Sequence, residues 1–214
     1  LKSPIANPTK IIAAPANYMD HVVEAREDAE INFGRAIKTI DDYGLFLKAN
    51  SALVGPGEGI RLSHTDRRND HEIELAMIIG RIAKGVAYED ALDYVAGYAI
   101  GLDNTLRGFE DRSLRKSLNS YAVLGPWMTT ADEIENPDDL SFRLTVNDEV
   151  RQDSNTKYLI FDCRKLIEYA SRFYTLFPGD IIMTGTPEGV GPLEAGDRLT
   201  CEVDIIGRME IDVR

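Results

Sequence analysis

Short apolar stretches bounded by Gly, Pro and Asp run through the chain, and their length predicts strands more often than helices. Strands are expected at Ile11 to Ala14, Leu45 to Lys48, Glu72 to Ile79, Val95 to Leu102, Phe142 to Val146, Asp180 to Thr184 and Arg198 to Ile205. Helices are expected at Tyr18 to Asp28, Tyr88 to Tyr94 and Asp162 to Phe173, the last because Leu166, Ile167, Ala170 and Phe173 recur at helical spacing. Irregular spacing and long connections argue against a regular alternation of strand and helix. The expected class is therefore α+β, mainly β, with a few peripheral helices. No repeat or linker divides residues 1–214, which read as a single domain.

Composition narrows the class of function. A chain that is 43% hydrophobic and 28% charged is an ordinary folded protein. Its formal charge of −12, with no long Lys or Arg run to offset it, argues against nucleic acid and anionic membrane as partners. Cys163 and Cys201 fit neither a metal-ligand spacing nor a disulfide framework, so buried or free thiols in a reducing cytoplasm are expected. No apolar run approaches the roughly 18–20 residues that span a bilayer, and no signal-peptide pattern opens the chain. The start at Leu1, without Met and directly into Pro4 and Pro8, points to a missing segment upstream.

Candidate chemistry begins at Asp70-His71-Glu72-Ile73-Glu74-Leu75, where two acids two residues apart head a strongly apolar run. On a strand, Glu72 and Glu74 share a face. Asp103 closes the second long apolar run and supplies a third carboxylate. Together they suit a hard divalent cation such as Mg²⁺ or Mn²⁺; the alternative is a solvated strand edge with Asp103 starting a turn. His21 and Glu24, three apart on an expected helix, form either a carboxylate-oriented general acid/base or a plain surface pair. The loop Thr184 to Gly191 is either a turn or a backbone cradle for an anion.

Taken in order, these pieces resemble the fumarylacetoacetate hydrolase family. The resemblance runs through Asn17-Tyr18 with His21 and Glu24, Phe46-Leu47-Lys48, Leu53 to Gly57, Asp70 to Leu75 and Gly97-Tyr98 through Asp103 to Arg107. It continues through Lys116-Ser117, Leu124 to Trp127, Val146-Asn147 with Gln152, and Phe177 to Pro187. It implies a mixed β-sheet roll of the C-terminal-domain type, one catalytic domain, a homodimer, and Mg²⁺ or Mn²⁺ on the acids Glu72, Glu74 and Asp103. His21 and Glu24 become a dyad that activates water or moves a proton, with Lys116 beside the metal. Lys48, Arg107 and Thr186 are expected to hold the anionic oxygens of a small 2-oxo acid. The implied activity is hydrolysis of a C–C bond in an acylpyruvate through a stabilised enolate, in catabolism of aromatic or related compounds. Isomerisation of a hydroxy-dienedioate, decarboxylation of an oxaloacetate-like acid, or binding without turnover are the alternatives.

Several positions depart from the family pattern. Leu102 stands where an Asn usually precedes the acid, Gly108 replaces an Asp, Glu110 a Gln and Asn119 an Asp, and the stretch from Asp103 to Lys116 is short. An acid at Glu110 is expected to act on substrate contacts near Arg107.

Overall fold

The two longest apolar runs pair antiparallel at the centre of a seven-stranded mixed sheet. The computed structural model describes all residues, 1–214. In chain order the strands are β1 (Ile11–Ala13), β2 (Phe46–Lys48), β3 (Leu53–Val54), β4 (Asn69–His71), β5 (Ile73–Ile79), β6 (Val95–Asp103), β7 (Thr105–Leu106) and β8 (Ala122–Thr130). They continue with β9 (Ser141–Val146), β10 (Glu149–Asn155), β11 (Ile181–Met183), β12 (Gly191–Pro192), β13 (Arg198–Val203) and β14 (Gly207–Asp212). Five α-helices, α1 (Met19–Glu27), α2 (Ala29–Asn32), α3 (Ile40–Tyr43), α4 (Arg112–Arg115) and α5 (Cys163–Phe173), lie between them.

The large sheet runs β2-β1-β11-β5-β6-β8-β3, with β1–β11 and β3–β8 parallel. A four-stranded sheet, β10-β9-β13-β14, and a small three-stranded one, β12-β4-β7, complete the fold. The class is mainly β with peripheral helices, as the apolar pattern predicts. Tyr88 to Tyr94 is helical but forms 3₁₀ turns.

Both faces of the large sheet are buried, and the alternation along β5 sorts its residues between two cores. Ile73, Leu75, Met77 and Ile79 enter the larger core with Leu144, Leu199 and Ile211 of the second sheet and Leu166 and Ile167 of α5. Ala76 and Ile78 face the other way, among Ala13, Ala99 and Ala122. Small side chains on that second face leave depth for the acids at its end. Cys163 and Cys201 are buried, unpaired thiols. No helix is long and apolar enough to cross a membrane.

Three long strands, β8, β10 and β14, lie outside the expected set. Gly125-Pro126 interrupts the apolar run of β8, which carries it beside a register irregularity opposite Tyr98 and Ile100. Along β10 only Gln152 and Asn155 are buried, so its sequence shows no apolar face. In β14 just Met209 and Ile211 point inward, an alternation too short to stand out.

Candidate active site

Antiparallel register builds the acid cluster. The Asp103 amide donates to the Glu72 carbonyl at 2.9 Å, and Glu74 lies opposite Gly101, so Glu72, Glu74 and Asp103 emerge on one face at the ends of paired strands. All three carboxylates are buried, and an oxygen of each lies within 4.8 Å of the others. Buried carboxylates this close repel one another. Burial first, then the charges of Asp103 and Glu72, push the Glu74 carboxyl well above the usual carboxylate range. An all-oxygen donor set of this charge fits a hard divalent cation. The solvated-edge alternative fails because none of the three reaches bulk solvent.

Buried cations surround the cluster. Lys116 Nζ donates to Glu72 at 2.6 Å, to Asp103 at 2.8 Å and to the Thr105 hydroxyl at 2.7 Å. Arg107 bridges Asp70 at 2.7 Å and Glu72 at 3.0 Å. Burial alone would raise the Glu72 carboxyl, but Lys116, Arg107 and His21 outweigh it and hold that carboxyl far below its ordinary value. Lys48 is fully buried behind Asp103, donating to its carboxylate and to the Tyr121 carbonyl. Burial lowers the Lys48 ammonium despite Asp103.

The dyad forms on α1. His21 Nδ1 meets Glu24 Oε2 at 2.8 Å, which leaves Nε2 for chemistry. The Thr184–Gly191 loop joins the two halves of the site: Gly185 N–H donates to Glu74 at 2.7 Å and Gly189 N–H to Glu24 at 2.8 Å. The loop therefore does cradle anions, and they are the protein's own carboxylates. Gly185 and Gly189 both adopt positive φ, 101° and 89°, and a Cβ at residue 189 would meet the Arg151 carbonyl at 2.0 Å. Asn17 pins the loop to the start of α1 by donating to the carbonyls of Thr184 and Phe161.

A cavity of about 190 Å³ opens on this cluster, lined by the three acids with His21, Arg107, Lys116 and Thr186. Of the expected residues, Glu24 reaches it through His21 and Lys48 through Asp103; neither lines it. Glu110 also lines the cavity, but its ion pair is not with Arg107. It takes a two-pronged ion pair with Arg67, at 3.0 and 2.8 Å, and leaves Arg107 to Asp70 and Glu72. That contact holds the Glu110 carboxyl down at about 2. Leu102 points into the larger core, away from the acids, and Asn119 is exposed.

Sequence reasoning assigned no role to Gln152, although it braces the site. Its side-chain carbonyl accepts from Ile73 N–H at 3.1 Å and lies 3.1 Å from His71 Nδ1, while its amide donates to the Thr186 hydroxyl at 2.8 Å. Thr105 and Asp70 serve likewise by orienting Glu72 and Arg107. Three arginines, Arg35, Arg112 and Arg115, also line the cavity. The Arg112-x-x-Arg115 spacing on a helix was the available signal.

Fold and site together fit a metal-dependent enzyme, and relatives place it. Residues 10–214 match the fumarylacetoacetate (FAA) hydrolase C-terminal family, and the chain belongs to that family. It is 57% identical to maleylpyruvate hydrolase of Aquipseudomonas alcaligenes across 100% of this chain and 75% of that protein. The crystal structure of maleylpyruvate hydrolase from Sphingobium sp. SYK-6, in complex with manganese (II) ion and pyruvate, is 42% identical with a TM-score of 0.85, covering 100% of this chain and 73% of that one. A 5-carboxymethyl-2-hydroxymuconate delta-isomerase from Mycobacterium smegmatis is 37% identical with a TM-score of 0.84, covering 100% and 81%.

Proposed function

We propose that the chain is a divalent-metal-dependent hydrolase that cleaves a C–C bond in an acylpyruvate, with Glu72, Glu74 and Asp103 holding Mg²⁺ or Mn²⁺. The observation that carries this reading is that His21, already held by Glu24, opens on the same cavity as the buried acid cluster. The 57% identity to a maleylpyruvate hydrolase supports hydrolysis over the isomerase and decarboxylase alternatives.

Charge in the site favours an anionic substrate. Asp70 is ion-paired with Arg68 and Arg107, Glu72 with Arg107 and Lys116, and Asp103 with Lys48 and Lys116. A divalent cation held by Glu72, Glu74 and Asp103 would add positive charge there and would withdraw electrons from a 2-oxo carboxylate.

The chain's own groups do the rest. His21 Nε2 takes a proton from water as it attacks the distal carbonyl carbon, and Glu24 stabilises the charged imidazole. The bond between that carbon and the adjacent methylene breaks, its electron pair passing toward the 2-keto oxygen. The proton held at His21 then returns to the methylene carbon, giving a carboxylic acid and pyruvate. Arg107 and Thr186 present donors to the substrate's oxygens, with Lys116 holding Glu72 and Asp103 in place. A single catalytic domain acting as a cytoplasmic homodimer completes the reading; light scattering checks the dimer.

The test offers metal-loaded protein acylpyruvates, oxaloacetate and a hydroxy-dienedioate. Pyruvate released from acylpyruvates is the expected result. Isomerised dienedioate or CO₂ from oxaloacetate, with no pyruvate from acylpyruvates, overturns the hydrolase reading.

A further inference from the structure

We propose that Gln152 is a positioning residue that fixes the polarity of the Thr186 hydroxyl, leaving its proton for the cavity, so that Thr186 selects an acceptor oxygen of the bound acid. The inference rests on the 2-oxo acid reading above and deepens it by naming what makes Thr186 a donor.

A β-bulge delivers the side chain. The β10–β9 register shifts between Val150 and Gln152, so Val150 faces Thr145 while Gln152, rather than Arg151, faces the buried Leu144. Gln152 is 1% exposed on a strand whose neighbouring residues 149–151 are all exposed. The Thr184–Gly191 loop closes over it, and Gly189 makes room for the Arg151 carbonyl at the bulge.

Two backbone groups allow the Gln152 amide one orientation. Its oxygen lies 3.1 Å from Ile73 N–H, which can only donate. Its nitrogen lies 3.0 Å from the Pro187 carbonyl and 3.5 Å from that of Glu188, which can only accept. Turning the amide over would set oxygen against oxygen and N–H against N–H. In this orientation His71 carries a proton on Nδ1, 3.1 Å from the amide oxygen, and Thr186 Oγ1 receives an amide N–H at 2.8 Å. The Thr186 hydroxyl thus gives a lone pair to Gln152 and makes no other hydrogen bond to the protein. Its proton is left for the cavity, which Thr186 lines together with the three acids. The preceding residue, Gly185, donates to Glu74 at 2.7 Å, so this hydroxyl stands at the acid-cluster end. A donor there attracts a carboxylate or enolate oxygen, whereas a hydroxyl turned the other way would repel it.

Calorimetry of oxalate binding to Mn²⁺-loaded protein tests this in a double-mutant cycle. Thr186→Val removes the hydroxyl and should weaken oxalate about tenfold, while Thr186→Ser keeps it and should stay within about threefold of wild type. Gln152→Glu offers an acceptor where the amide offered a donor, so the hydroxyl turns toward it and away from the cavity. The added charge opposes an anion in either background, but the turned hydroxyl matters only while Thr186 is present. The Gln152→Glu loss is therefore expected to be about tenfold smaller in the Thr186→Val background. Gln152→Met, uncharged and of similar length, decides the question should the charged variant not fold: its loss, about threefold, should vanish in that background. Equal losses in both backgrounds are what a merely structural Gln152 would give, and they overturn the proposal, as does a Thr186→Val protein that binds oxalate like wild type. A wild type that binds oxalate yet hydrolyses no acylpyruvate sinks the proposed function alone and leaves the cycle readable. A wild type that binds no oxalate removes the acid-binding reading and this inference with it.

Discussion

The guanidinium of Arg67 occupies the space that a side chain at Gly108 would need: a Cβ there would lie 1.7 Å from Arg67 Nη2. Arg67 also donates to the Arg107 carbonyl at 2.6 Å while it grips Glu110. Two of the departures from the family pattern, Gly108 and Glu110, are therefore one arrangement. Gly108→Ala should cost about 1 kcal/mol by moving Arg67 off that carbonyl, and nothing further in an Arg67→Ala background. A double-mutant cycle in urea measures this, and additive losses would refute the coupling.

Removing two of the clustered acids should have opposite effects on the metal-free protein. Glu72 accepts from Lys116, Arg107 and Thr105, so Glu72→Ala strands buried donors and costs about 3 kcal/mol. Glu74 is the carboxyl that burial and its neighbours penalise, and in Glu74→Gln the carbonyl still accepts from Gly185 N–H. That variant should melt higher than wild type at pH 8. Both should lose Mn²⁺ binding by calorimetry; a fully active Glu72→Ala protein would end the metal-site reading.

His21→Ala separates metal from chemistry. Its imidazole touches Glu24 and none of the three acids, so Mn²⁺ affinity should stay within about threefold while kcat falls by about 10²–10⁴. A parallel loss of metal would make His21 a ligand instead.

Acid stability has a source far from the cavity. Asp180, at the head of β11, accepts from the Thr9 hydroxyl at 2.6 Å, Lys10 N–H at 3.0 Å and Phe177 N–H at 2.8 Å, and pairs with the Lys10 ammonium. Burial raises its carboxyl, but these donors prevail and depress it. A depressed native pKa means that the native state binds fewer protons than the unfolded chain, so the stabilisation is present above about pH 4 and is lost as pH falls through the folded value. Asp180→Asn should therefore cost about 2 kcal/mol at pH 7, with the gap to wild type closing toward pH 3 in thermal melts.

The acids and the dyad were legible because strand and helix periodicities place residues two and three apart on common faces. Spacing put His21 with Glu24 and Glu72 with Glu74, and the end of an apolar run supplied Asp103, but each also fitted a solvated surface until the family resemblance favoured a site. What stayed hidden depends on contacts between distant segments. Nothing near Gln152 shows that its amide will brace residues 71, 73 and 186, and nothing near Glu110 shows that Arg67 arrives from 43 positions away. The β10 and β14 strands were missed for a related reason: edge strands with one or two buried side chains carry almost no local pattern.

The Glu72–Asp103 backbone pairing has a consequence for how such an enzyme can change. The acids are fixed by strand register, so a one-residue slip would exchange them for Ile73 and Leu102 and dismantle the centre. Of the arginines that line the same cavity, Arg112 and Arg115 sit on the one-turn helix α4 and Arg35 on the segment after α2, which no ladder constrains. Substitutions there can retune which molecule is accepted while the reacting end stays untouched, so a lineage built on this frame can explore new substrates without first losing its chemistry.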